Sequence, residues 1–149
     1  MKLQDRSHYF KGLLLLIKKD NKITEEERQL LMQVGELLQF NHEFCETTIE
    51  HLLENKHVDE FELKFSNRKW AKIFLKDGLR IAFADESLHI NEYKWLEHVT
   101  RTNNIPVHWL FFQLSKMMNN KELANTQSLE IRKHYEQIQT ANVKPAVPA

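Results

Sequence analysis

The sequence predicts an all-α fold: about seven helices in two related halves. Three observations point there: a scarcity of helix breakers, apolar residues spaced three and four apart, and a short motif that recurs between helices. Only three glycines and three prolines occur in 149 residues, and Pro145 and Pro148 fall in the last five. Long stretches are therefore uninterrupted, and tight hairpins have little material. With 42% hydrophobic residues, the length suits one core. We expect a single domain over 1–141, with halves at about 7–56 and 66–119, a C-terminal helix at about 128–140 and a disordered tail at 142–149.

From Ser7 to Lys19 the apolar residues are nearly continuous, which predicts a central helix buried on most sides. Asp20-Asn21-Lys22 interrupts it. Thr24-Glu25-Glu26-Glu27 reads as a capping box, and the stripe Leu30, Leu31, Val34, Leu37, Leu38 carries the second helix to about Phe40. Asn41 can cap a third helix with Phe44, Cys45, Ile49, Leu52 and Leu53 inward. Residues 57–65 mix period two with period three or four, and we lean towards a helix there. Ser66 can cap the second central helix, with Trp70, Ile73, Phe74, Ile81 and Phe83. After Asp85-Glu86-Ser87 a helix runs from about Ile90 to Thr102. Pro106 opens the next, whose Trp109-Leu110-Phe111-Phe112 should pack deeply before Asn119-Asn120. The last helix is polar apart from Leu129, Ile131, Tyr135 and Ile138, so it is either loosely packed or docks a partner.

The interruptions repeat. Asp20, Ile23 and Glu27 match Asp85, Leu88 and Glu92 in order and spacing, each set between an apolar helix and an amphipathic one. The aliphatic residue can staple the following helix to the core, and acidic groups are favoured at a helix N-terminus. This duplicated D-x-x-[IL]-x-x-x-E, spanning roughly Phe10 to Met118, resembles the tellurite-resistance TerB-like family. The resemblance implies a bundle of about seven helices in two pseudo-symmetric halves, with Asp20, Glu27, Asp85 and Glu92 as candidate ligands of a divalent cation such as calcium or magnesium. The chain departs from the family where Asn21 and Glu86 replace a common glycine and His89 replaces a usual capping residue.

Other chemistries find less support. Lys+Arg and Asp+Glu balance at 21 each, so no overall field attracts nucleic acid or anionic membrane. Small basic patches at Arg68, Lys69, Lys72 with Trp70, and at Arg132-Lys133-His134, read first as solvated helix faces. Cys45 is the sole cysteine and reads as a packed side chain. Glu54-x-x-His57 has no second copy for a di-iron site, the histidines lack paired ligand spacing, and no glycine-rich phosphate loop or EF-hand loop occurs. The apolar run from Gly12 to Ile17 is too short for a membrane span, and we expect a cytoplasmic protein.

The expected function is that of a non-enzymatic TerB-like interaction or scaffold module in a bacterial stress-response or envelope-associated system. Protein partners are implied, a divalent cation could modulate them, and the polar last helix with Trp109-Leu110-Phe111-Phe112 could form a homodimer face. The alternative is a metal-dependent enzyme using the four repeat carboxylates, which would have to converge between the halves. Helix capping explains the same residues without a metal, and is the favoured reading of them.

Overall fold

The computed structural model describes residues 1–18, 22–55, 62–84, 88–124 and 129–142. Among these, seven α-helices and one 3-10 turn form and there is no strand. They are α1 (Leu3–Ile17), α2 (Glu25–Leu37), α3 (His42–Glu54), α4 (Arg68–Ala82), α5 (Ile90–Thr102), α6 (Val107–Asn119), the turn Lys121–Ala124, and α7 (Glu130–Asn142). Each of α4, α5 and α6 begins and ends 65 residues after α1, α2 and α3 respectively. That offset equals the spacing of Asp20 and Asp85 in the sequence motif.

The two long apolar helices are central. α1 packs on α2, α3 and α4, and α4 packs on α1, α5, α6 and α7. α1 fully buries Tyr9, Phe10, Leu13 and Leu14, and α4 fully buries Ala71, Phe74, Leu75 and Leu79. All three glycines of the chain lie inside helices at close approaches. A Cβ on Gly12 would stand 2.8 Å from the Phe74 ring and 2.7 Å from Leu63, and one on Gly78 would stand 2.9 Å from Leu96. One on Gly35 would run into the Cys45 sulfur, so α2 and α3 meet there backbone to side chain.

α2 and α5 end alike. At Gln39 and Asn104 the backbone turns left-handed, with φ of 67° and 56°. The next amide then reaches back, Phe40 to the Gly35 carbonyl at 2.9 Å and Ile105 to that of Thr100 at 3.1 Å, in the double-bonded C-cap that satisfies the last carbonyls. This stops α2 at Leu37 rather than near Phe40. The Phe40 ring turns in to meet Phe10 and Phe44.

Polar groups decide three points that apolar spacing misreads. α1 starts at Leu3, a turn before Ser7, because Asp5 is buried and accepts from the Ser66 amide (2.7 Å) and hydroxyl (2.5 Å). With Ser66 so engaged, the cap of α4 is Asn67, whose Oδ1 accepts from the Trp70 amide at 3.1 Å. Residues 62–65 are not helical, so the helix read over 57–65 is corrected there, while 57–61 lie outside the described residues. Leu63 and Phe65 point inward between exposed Glu62 and Lys64, the period-two half of the ambiguous pattern. Buried Asn103 holds this segment, accepting from the Phe65 amide and donating to the carbonyls of Leu63 and Val99, all at 2.8 Å.

Candidate interaction surface

Asp20 and Asp85 lie outside the described residues. Glu27 is used by its own helix: the Thr24 amide donates to Glu27 Oε1 at 2.8 Å and the Glu27 amide to Thr24 Oγ1 at 3.1 Å, closing the capping box read from the sequence. Glu92 stands in the first turn of α5, where His89 is the N-cap and makes no side-chain cap bond, so the box itself is not repeated. Among the described residues no group of three or more His, Cys, Asp or Glu comes together to hold a metal. Glu27→Ala is expected to cost about 1 kcal/mol, the usual worth of such a cap, equally with calcium and with chelator present. Chemical denaturation in both conditions checks this, and a loss seen only with calcium would make Glu27 a ligand.

Cys45 is 1% exposed and burial pushes its thiol up, the reverse of an activated nucleophile. His57 of the Glu54-x-x-His57 pair lies outside the described residues. In the Arg132-Lys133-His134 patch, Arg132 donates to Gln33 Oε1, Lys133 pairs with Glu130, and His134 meets the rings of Trp70 and Tyr135 edge-on. Burial, with Lys69 nearby, lowers the His134 pKa, so neutral imidazole is favoured. That patch belongs mainly to the packing of α7 on α4 and α2.

Sequence reasoning missed a buried polar network under α7. Asp77, fully buried on α4, accepts from the Tyr9 hydroxyl (2.5 Å), the Arg80 guanidinium (2.9 Å) and the amides of Glu130 (2.6 Å) and Ile131 (3.1 Å). Arg80, itself 4% exposed, also donates to Glu130 Oε1 and to the Leu123 carbonyl. Burial pushes the Asp77 pKa up to about 6, while the hydroxyl, the amides and the guanidinium pull against it. The Tyr9 hydroxyl is driven well above its ordinary value, first by burial and then by the Asp77 charge. Asp77 therefore caps α7 from another helix and fixes the polar C-terminal element to the core, where Leu129 and Ile131 are fully buried. The available signal was an Asp and an Arg three apart inside an apolar helix. No open position remains on this carboxylate for a substrate, so its role is structural.

The surface that stands out is the outer face of α6. Leu110, Leu114 and Met117 are buried, but Phe111, Phe112 and Met118 are 62%, 55% and 60% exposed, which corrects the expectation that the whole aromatic run packs deeply. A single helix face can reach the core, and the run covers two. At the matching positions of α3, the inward residues Cys45, Ile49 and Leu52 are likewise buried and apolar. Outward, α3 carries Glu46 and Thr47 where α6 carries Phe111 and Phe112. Glu46 and Thr47 are exposed there, as Phe111 and Phe112 are on α6. Cations frame them: Lys116 Nζ lies 4.6 Å from the Phe112 ring centroid, and Lys72 Nζ on α4 lies 5.4 Å from that of Trp109. Among the described residues no helix is long and apolar enough to cross a membrane. No family model, no curated protein and no solved structure matches this chain.

Proposed function

We propose that the chain is a non-enzymatic interaction module of the TerB-like kind, serving a bacterial stress-response or envelope-associated system, and that it works by docking a protein on the outer face of α6. The exposure of Phe111, Phe112 and Met118 on that one helix carries the reading. Exposed apolar groups clustered between charged residues are the usual mark of a binding face. The duplicated motif supports the family assignment, and modulation by a divalent cation through Asp20 and Asp85 is part of that reading. A metal-dependent enzyme has no comparable support, since Glu27 is committed to its own cap.

The test is site-specific photo-crosslinking in cells. A crosslinker at Ser115, between Phe111 and Met118 on the helix, is expected to give protein adducts that one at exposed Arg101 does not. Phe111→Ser with Phe112→Ser should abolish those adducts while changing stability by less than about 0.5 kcal/mol, as for ordinary surface sites. Unchanged adducts in the serine variant, or equal adducts from both positions, would remove α6 as the binding face.

A further inference from the structure

Resting on the reading of α6 as an interaction face, we infer that its occupant is α3 of a second copy of this chain, in a head-to-tail contact. The two faces differ in charge and match in shape of element. α6 contains no acidic residue. Beside it, Lys69, Lys72 and Lys76 form one stripe along α4 at spacings of three and four, and Lys72 bridges to α6 over Trp109. The sole acidic residue of α4, Asp77, is fully buried. The result is an aromatic face with cations along its α4 side, Lys76 also lying near Glu130 of α7 and exposed Glu122 standing in the turn after α6.

α3 is the opposite. Glu43, Glu46, Glu50 and Glu54 are all exposed, and the helix has neither Lys nor Arg. Among the described residues His42 Nε2 lies 2.9 Å from Glu46 Oε1, both on exposed side chains. Phe44, 40% exposed, gives this acidic face an apolar contact of its own.

One copy does not bring the two faces together. α3 rests on α1 and α2, while α6 rests on α4, α5 and the turn Lys121–Ala124. Among the described residues no ion pair joins α3 to α4 or α6. A two-fold contact of α6 with α6 would set lysines against lysines, a like-charge juxtaposition that disfavours it. Pairing α6 with α3 sets them against glutamates, and a chain of zero net charge has no overall repulsion to oppose it. The contact is heterologous, so each copy keeps one free face of each kind and assembly continues unless a ring closes.

The experiment is sedimentation velocity on the purified full chain. The average mass is expected to rise with protein concentration and to fall back towards monomer as salt is added. Phe111→Ser with Phe112→Ser blocks one face, and Glu46→Lys with Glu50→Lys blocks the other. Each variant alone should be monomeric, with a melting curve like that of the unaltered protein. Their mixture should form a one-to-one dimer that grows no further, because each contributes its one intact face. Self-association of the α3 variant equal to that of the unaltered chain would overturn the pairing. So would a monomer at every concentration that instead binds vesicles of anionic lipid through α6. If the chain stays monomeric while Ser115 still crosslinks to a different protein, this inference fails and the interaction-module reading stands.

Discussion

Replacing Asp77 with alanine is expected to destabilise the protein by about 3–5 kcal/mol, the range for breaking a buried ion pair from one side. The carboxylate accepts from Tyr9, Arg80, Glu130 and Ile131, so its removal leaves a buried guanidinium, a buried hydroxyl and two helix N-terminal amides short of a partner. Denaturant unfolding measures the loss, and hydrogen exchange locates it: the Glu130 and Ile131 amides should lose protection before those of α1. Should the alanine variant not fold, Asp77→Asn keeps one acceptor and is expected to fall between the two. Equal protection of α7 in the asparagine variant and the unaltered protein would show that the cap is not what holds the helix.

Asp77→Asn also isolates a pH effect. Folding raises the Asp77 pKa from 3.8 to about 6, so the native state holds that proton more tightly than the unfolded chain does. The associated stability is full below about pH 3.8 and is lost as pH rises through about 6. The lowered pKa of His134 acts in the opposite sense, its stabilising contribution being lost as pH falls, but it is common to both proteins. The difference in stability between the unaltered protein and Asp77→Asn should therefore shrink as pH climbs from 4 to 7. A difference that stays flat would mean Asp77 does not titrate in that window.

Phe74→Ala should produce a loss of similar size, about 3–5 kcal/mol, because a large ring is taken from a fully packed position. Phe74 is wholly buried, edge-on to Tyr9 at 5.7 Å and to Trp95 at 6.1 Å and against Phe65 at 5.6 Å. At roughly 2–4 °C per kcal/mol for a chain of this size, the melting temperature drops by on the order of 10 °C. Gly12 offers a specific check, since a Cβ there would crowd the same ring. Gly12→Ala should be destabilising in the unaltered protein and clearly less so once Phe74 is Leu, a coupling that a double-mutant cycle measures. Strict additivity would mean that the α1–α4 contact is not set by this pair.

How much of the candidate site was legible depended on where partners come from. Phe111 and Phe112 were visible as an aromatic run, but a run of apolar residues does not say which of its members reach a core. Exposure follows from which neighbours α6 meets, and α4 and α5 cover the Leu110 side alone. Asp77 and Arg80 were missed as a pair because their partners, Tyr9 and Glu130, lie 68 and 50 residues away along the chain. Glu27 was read correctly as a cap, since both partners of a capping box sit within one turn. The same locality explains the errors at Ser66 and in 62–65: Asp5 and Asn103, which settle those segments, are remote in sequence.

The sequence by itself determined the helical class and most helix boundaries, because periodicity, caps and breakers act over three to seven residues. It also fixed the contrast between an acidic α3 and an acid-free α6, which is composition alone. Only the tertiary structure decided that α7 is bound to the core by a buried carboxylate on another helix, that Asn103 orders the connector before α4, and that one face of α6 is left uncovered. Those outcomes depend on desolvation and on pairings between distant residues, and neither is encoded in any local window.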